Sequence, residues 1–409
     1  MSQPSKPVWV WLPGQVQPIV CGEFALNNGV GVFNYTDAYR ALPQALALDP
    51  LHLPLTRSRR PFKETRQQGL FGVFRDASPE GFGLAMLERL RGQPLSDPLD
   101  RLEHAAGDGA GAIEVCDDLE AKLRFSPPPA TALWDALAQL PTHCPSSLAP
   151  QTVWGATGTS LGGERPKMTV LHQGQPWIAK LQEQGDPPHA PLREYAAMRV
   201  AQQLGLNVAE VAFHRVGERQ ALLVRRFDRW VDDQGHTQRQ LFASAHTVLR
   251  LDTPMRGEPS RSYVALAKDM QRFCANRHTD AAPMQRELWR RMVFNTICGN
   301  GDDHPRNHGF VHSKGQWQLA PAFDIAPHPA YAGVQAMAVT RTGSAIATQA
   351  NLLLDVHRFG WGQPEALAFI TQAREVYLDL WPQIIQSLGV SAKALPATDP
   401  LRWLQPAKW

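Results

Sequence analysis

The chain contains no run of eighteen apolar residues, so nothing in it reads as a membrane span. Its first residues lack an apolar core of the kind a secretory signal needs, so no export signal is expected. Cysteine is scarce and scattered: Cys21, Cys116, Cys144, Cys274 and Cys298, with no pair at the short spacing of a zinc or redox site. An odd, dispersed set does not build a disulfide framework and points to a reducing compartment, the cytoplasm. Charge of one sign is lacking too. Lys and Arg number 41 against 38 Asp and Glu, a net charge of +3 spread along the sequence. That balance excludes a dedicated nucleic-acid polymer binder, though not a local basic patch. Arg57, Arg59, Arg60, Lys63 and Arg66 form such a patch, which reads as a solvated loop. There is no internal repeat.

What is present is a change of texture along 409 residues, enough for two or three domains with ample core. Residues 8 to 55 read mostly as short strands, among them Val8–Leu12, Gly22–Leu26 and Gly31–Tyr35. The last two are joined by the hairpin turn Asn27-Asn28-Gly29. Ser78-Pro79 is expected to open a helix through Leu84, Leu87 and Leu90, with Ser78 as its N-cap. The run Ser126-Pro127-Pro128-Pro129 then breaks the pattern. A short helix near Ala130–Leu140 and a Pro/Ser-rich stretch lead to a boundary at about residue 150. Beyond it come a Gly/Thr/Ser-rich loop at 155–163 and strands at Met168–Leu171 and Trp177–Lys180. A helix from Leu192 to Leu204, ended by Gly205, and a buried strand at Ala221–Val224 follow. Past Ser262 the pattern is mainly helical, and the last long helix runs from about Gln363 to Leu388.

The most chemical segment interrupts that helical region. Gly301-Asp302-Asp303-His304-Pro305-Arg306-Asn307 is followed by Ala322-Phe323-Asp324-Ile325. Asp-x-x-x-x-Asn and then a second Asp is the serial order in which protein kinases place a proton acceptor and two magnesium ligands. Magnesium takes oxygen ligands and needs only one or two carboxylates beside substrate phosphates, so few side chains suffice. The same residue types are also ordinary turn formers. His304, His308 and His312 raise a zinc reading, but Pro305 and Gly309 break the helix that would align them.

Other parts stand in a matching order. The loop at 155–163 lacks the Gly-x-Gly-x-x-Gly pattern and reads equally as a hairpin turn. Glycines there would let backbone N–H groups approach phosphates. Lys180, on the next strand but one, can reach phosphates as a point charge, and Glu194 could pair with it. Val224–Phe227 leads into a connector where an adenine could sit, although Arg226-Phe227-Asp228-Arg229 also reads as a surface ion-pair cluster.

With these residues in order, the chain resembles the HipA family of serine/threonine kinases, the toxins of bacterial toxin–antitoxin pairs. Ser160–Lys167, Trp177–Lys180, Arg225–Arg229, Gly301–Asn307 and Phe323–Ile325 carry the resemblance. Gly72–Gly81 and Gly109–Ile113 extend it over nearly the whole chain. It implies an α+β fold, a bilobal kinase-like core with an N-terminal β-rich subdomain. The implied divisions are that subdomain at 1–125, a connector at 126–150, an N-lobe at 151–229 and a helical C-lobe at 230–409. It implies that Asp302 is the catalytic base, with Lys180 contacting ATP phosphates, and that Asn307 and Asp324 hold magnesium. Gly162, Gly163, Lys167, Arg225, Phe227 and His304 would complete the ATP site, and Ser160 would be autophosphorylated. Two positions depart from the family pattern: Asp303, read here as a turn former, and Arg306 where a lysine is usual. The implied partners are a protein substrate of translation, such as an aminoacyl-tRNA synthetase, and a HipB-like DNA-binding antitoxin, with no strong nucleic-acid or membrane binding by the chain itself. Two rivals stand beside this reading: a small-molecule phosphotransferase on the same core, and a kinase-shaped binding module without activity.

Overall fold

The computed structural model describes residues 5–141, 144–146, 148–149, 153, 165–252, 258–274, 280–397 and 399–404. The chain divides into two compact units. The first holds 1–184, 214–247 and 310–315; the second holds 185–213, 248–309 and 316–409.

The first unit begins with a five-stranded sheet of β1 (Lys6–Val10), β2 (Ile19–Asn27), β3 (Val30–Tyr35), β4 (Phe62–Glu64) and β5 (Ile113–Val115), in the order β4-β3-β2-β1-β5. The β2–β3 turn is the expected one: Asn28 and Gly29 both have positive φ, 49° and 76°, as a tight hairpin of right-twisted strands requires. Along β2 the apolar side chains alternate, and Phe24 and Leu26 are buried while Glu23 is exposed. Phe24 and Phe33 pack on Phe74 with ring centroids 5.0 and 5.5 Å apart. Phe74 belongs to α1 (Gly72–Ala77), a helix that separates cleanly from α2 (Gly81–Arg91). Ser78 is therefore the C-cap of α1, and α2 starts at Gly81 with no side-chain cap. The backbone of Ser78-Pro79-Glu80 stays extended between the two helices because the residue before a proline disfavours the helical region.

A second sheet follows in the order β6-β7-β9-β8, from β6 (Lys167–His172), β7 (Gln175–Leu181), β8 (Val211–Val216) and β9 (Arg219–Arg225). Gln173 and Gly174, both at positive φ, turn β6 into β7. Immediately after β9 the chain buries a charged cluster. Arg226 donates to Asp108 Oδ1 at 2.6 Å and to Asp228 Oδ2 at 2.7 Å, and Thr169 Oγ1 donates to Asp108 Oδ2 at 2.8 Å. The Gly111 N–H donates to Asp228 Oδ2 at 2.8 Å, and Arg229 closes the group with an ion pair to Asp228 at 3.4 Å. These residues are a buried clasp between the Gly107–Gly111 segment and the second sheet, not a surface cluster. The unit continues with the hairpin β10 (Arg229–Val231) and β11 (Thr237–Arg239), then β12 (Phe242–Ser244) and most of β13 (Gly309–Ser313).

The second unit is mainly helical. Its long elements are α3 (Ala190–Gln203), α4 (Tyr263–Phe273), α5 (Ala282–Cys298) and α6 (Gln363–Ser387), with the short strand β14 (Gln316–Leu319). Helix α6 packs on α3 and α5, and α4 on α5. Trp289 at the centre of α5 is fully buried, stacks near Trp361 and Phe369, and donates to the Leu352 carbonyl at 3.0 Å. Among the described residues, no helix is long and apolar enough to cross a membrane.

Candidate functional site

The candidate residues fall into two groups, one on each unit. On the first unit, β6 and β7 are antiparallel, and the register sets Lys167 directly opposite Lys180. Directly opposed residues point to the same face, so the two ammonium-bearing side chains lie side by side. Like charges in that arrangement repel, and an anion between them would convert the repulsion into attraction. The register also places Ile178, Leu222 and Val224 on this face, an apolar floor beside two cations, together with Thr169, whose hydroxyl is bound to Asp108. Arg225 pairs with Trp177 and so belongs to the opposite face of the sheet from Lys180. Phe227 is half-buried, its ring 6.2 Å from that of Phe242, and its carbonyl accepts from Gln240 Nε2. Gly162, Gly163 and Ser160 lie outside the described residues.

The second group sits where α5 ends. Gly299, at φ 79°, terminates the helix and turns the chain into the segment 300–308. Asp302 is exposed. His304 caps the short helical turn Pro305–Asn307 by accepting the Arg306 N–H at its Nδ1, 3.3 Å away. Asn307 is buried, and its Nδ2 donates to the Asp302 carbonyl at 3.1 Å. That bond uses the amide nitrogen and leaves the amide oxygen as the group available for a cation. Asp324 adopts φ +59°, a conformation uncommon outside glycine and tolerated best by Asp and Asn. The Ala322 N–H donates to the Asn207 carbonyl at 2.8 Å, and Ala322 O accepts from the Ala209 N–H at 2.9 Å. These bonds fix the backbone two residues before Asp324. Glu194 is 3% exposed on α3, so it is a buried carboxylate and not a solvated one. It belongs to the second unit, Lys180 to the first.

Sequence reasoning missed one residue. Asp303 is more than a turn former: it is 2% exposed, and its Oδ2 accepts from Tyr263 Oη, from Asn295 Nδ2 at 2.7 Å and from His308 Nε2 at 2.9 Å. Burial first, and then the Asp303 charge, push the Tyr263 phenol well above its ordinary value, so it remains protonated and donates. The signal was available at Asn295, an amide inside the mostly apolar helical run from Met292 to Cys298. A buried amide needs partners, and a neighbouring acid is a natural one.

The oxygen set of Asn307 and Asp324 fits a hard cation such as magnesium. Among the described residues no three His, Cys, Asp or Glu side chains converge as a metal-binding group. The first unit thus offers paired cations on a sheet face. The second offers an exposed carboxylate and the oxygens of Asn307 and Asp324.

Comparison with known proteins bears on both groups. The family described as HipA-like C-terminal domain matches residues 159–381, and the HipA N-terminal domain matches 10–116. A Haemophilus influenzae protein whose name proposes a kinase is 28% identical over 192 residues, 42% of this chain and 54% of that one. The chain thus aligns with about half the length of that relative. The Sinorhizobium fredii protein Y4mE, also named as a candidate kinase, is 25% identical over 382 residues, 86% of this chain and 83% of its own. Shewanella oneidensis serine/threonine-protein kinase toxin HipA is 23% identical over 197 residues, 43% of this chain and 45% of its own. In the solved complex of Shewanella oneidensis HipA, HipB and operator DNA, one chain superposes with a TM-score of 0.67 at 18% identity. The match covers 97% of this chain and 93% of that one, and it shows a shared mixed helix-and-sheet fold.

Proposed function

Because the chain belongs to the HipA family, we propose that it is an ATP- and magnesium-dependent serine/threonine protein kinase. The observation that carries this reading is the turn at 302–307, where the Asn307 amide is tied to the Asp302 carbonyl. One short loop thereby presents an exposed carboxylate and a buried oxygen donor together.

In this reading the Asp302 carboxylate accepts the proton of a Ser or Thr hydroxyl as its oxygen bonds to the γ-phosphorus, while the bond from that phosphorus to the β,γ-bridging oxygen breaks and ADP leaves. Asn307 Oδ1 and the Asp324 carboxylate would hold magnesium, which when bound neutralises charge on the transferring phosphoryl group. Lys167 and Lys180, opposed across β6 and β7, would face the nucleotide phosphates. Ile178, Leu222 and Val224 offer the adenine an apolar surface on the same face. Phe227 and His304 are the remaining proposed ATP contacts, together with Gly162 and Gly163 of the loop, where Ser160 is the proposed site of autophosphorylation; Arg225 belongs to the other face of the sheet and is not proposed as one. We assign 1–125 to an N-terminal subdomain, 126–150 to a connector, 151–229 to the nucleotide-binding lobe and 230–409 to the helical lobe. The proposed partners are a translation-associated protein substrate, such as an aminoacyl-tRNA synthetase, and a HipB-like DNA-binding antitoxin, all in the cytoplasm.

The test is phosphate transfer from labelled ATP with magnesium, to the chain itself and to proteins of a cell lysate. Wild-type protein is expected to label; Asp302→Asn is expected to lose transfer and keep nucleotide binding, since an amide is a poor proton acceptor. Equal turnover by the two proteins would mean that Asp302 is not the base.

A further inference from the structure

We propose that Asp303 is a positioning residue that holds the proposed base and the proposed metal carboxylate in one frame; this rests on the kinase reading above. Three donors from three elements converge on one carboxylate oxygen: Tyr263 at the start of α4, Asn295 in the last turn of α5, and His308 just past the turn Pro305–Asn307. All four side chains are buried. A carboxylate removed from water needs hydrogen-bond donors, and here all three meet on a single oxygen.

The network then branches toward both catalytic candidates. On one side Asp303 is bonded in sequence to Asp302, so fixing its side chain fixes the peptide that carries the exposed carboxylate. On the other side Asn295 Oδ1 accepts from Asn300 Nδ2 at 3.0 Å, and the same amide nitrogen reaches the Asp324 carbonyl at 3.3 Å. Asp324 is the residue at φ +59°. A backbone held in a sparsely populated region needs surroundings that over-determine it, and Asn300 supplies one such bond. Asp303 thus lies at the junction of a continuous hydrogen-bonded path, Asp302 backbone–Asp303–Asn295–Asn300–Asp324 carbonyl. Asp303 is 2% exposed, and in this proposal it acts through these neighbours.

The test uses the full chain. Asp303→Asn turns an acceptor into a donor facing three donors and can fail to fold, so the branches are cut separately by Asn295→Ala and Tyr263→Phe, and His308→Gln is compared with His308→Leu. The first readout is hydrogen exchange of peptides spanning 299–309 and 322–327, which needs no activity. Asn295→Ala is expected to speed exchange in both peptides at once, by about tenfold or more. The second readout is transfer rate against magnesium concentration. Outer-sphere partners of this type typically contribute about 10- to 100-fold. Asn295→Ala is therefore expected to lower kcat within that range and raise the magnesium needed for half-maximal rate, with His308→Gln near wild type and His308→Leu impaired. Variants that merely melt earlier, with exchange of the two peptides uncoupled and magnesium dependence unchanged, would overturn the proposal. If wild type transfers no phosphate, the kinase reading fails by that result, while the exchange experiment still decides whether Asp303 couples the two segments.

Discussion

Asp228→Asn is the sharpest probe of the clasp that joins the Gly107–Gly111 segment to the second sheet. In the wild type Asp228 Oδ1 accepts from Arg226 Nε at 2.9 Å, and Oδ2 accepts from Arg226 Nη2 at 2.7 Å and from the Gly111 N–H at 2.8 Å. Two aspartates, Asp108 and Asp228, balance two guanidiniums, Arg226 and Arg229, all buried. The amide keeps the shape but removes one charge and sets an NH2 against a donor. One buried cation is then uncompensated, a situation that costs about 3–5 kcal/mol. For a unit of this size that is a fall in Tm of roughly 6 to 20 °C. The pH dependence has a defined sign. Burial raises the Asp228 carboxyl, but Arg226 and Arg229 outweigh it and leave the group well below the ordinary carboxylate range. A depressed carboxyl contributes its stability in full above its unfolded value, about 4, and loses it as pH falls through the lower folded value. The gap between wild type and variant, measured by urea unfolding with tryptophan fluorescence, should be widest near neutral pH and narrow below about pH 4. Asp108 is a poorer probe, because its burial raises it despite the same arginines and reverses the sign. A variant within about 1 kcal/mol of wild type at pH 7, or a gap that widens on acidification, would refute the reasoning.

Two further outcomes follow from the site. Asp324→Asn keeps a residue tolerated at φ +59° and removes the carboxylate, so calorimetry should show nucleotide affinity losing its dependence on magnesium while Tm shifts little; unchanged affinity would place the metal elsewhere. For Ser160, incubation with ATP and magnesium should yield a phosphate that adds about −1.5 to −2 charge and weakens nucleotide binding, as read by phosphosite mapping and calorimetry. Modification with full affinity retained would remove the switch without touching the kinase assignment.

How much of this was legible in the sequence depended on the range of the interaction involved. Hairpins were readable because their turns declare themselves locally, as Asn28-Gly29 and Gln173-Gly174 show through positive φ at adjacent residues. The strand at 221–224 and the long C-terminal helix were readable for a similar reason, since a continuous apolar run in the one and a helical period of burial in the other are written into consecutive residues. Helix α1 was not, because Gly72–Ala77 is too short to show a period and is fixed instead by Phe74 packing on Phe24 and Phe33. The order of the candidate site residues could be read along the chain, but not their directions. Only the pairing register shows that Lys167 and Lys180 share a face while Arg225 belongs to the other. Charge clusters were the least legible, since a run such as Arg226–Arg229 looks the same whether solvated or buried. Its state is decided by Asp108, more than a hundred residues away, through a bond of 2.6 Å. Asp303 is the same problem in a functional setting. Its neighbours in sequence form a turn, and its partners Tyr263, Asn295 and His308 come from three elements that only the fold assembles. Residues proposed to touch the reacting groups are therefore the ones a serial motif can suggest, and residues proposed to hold them in place are the ones it hides.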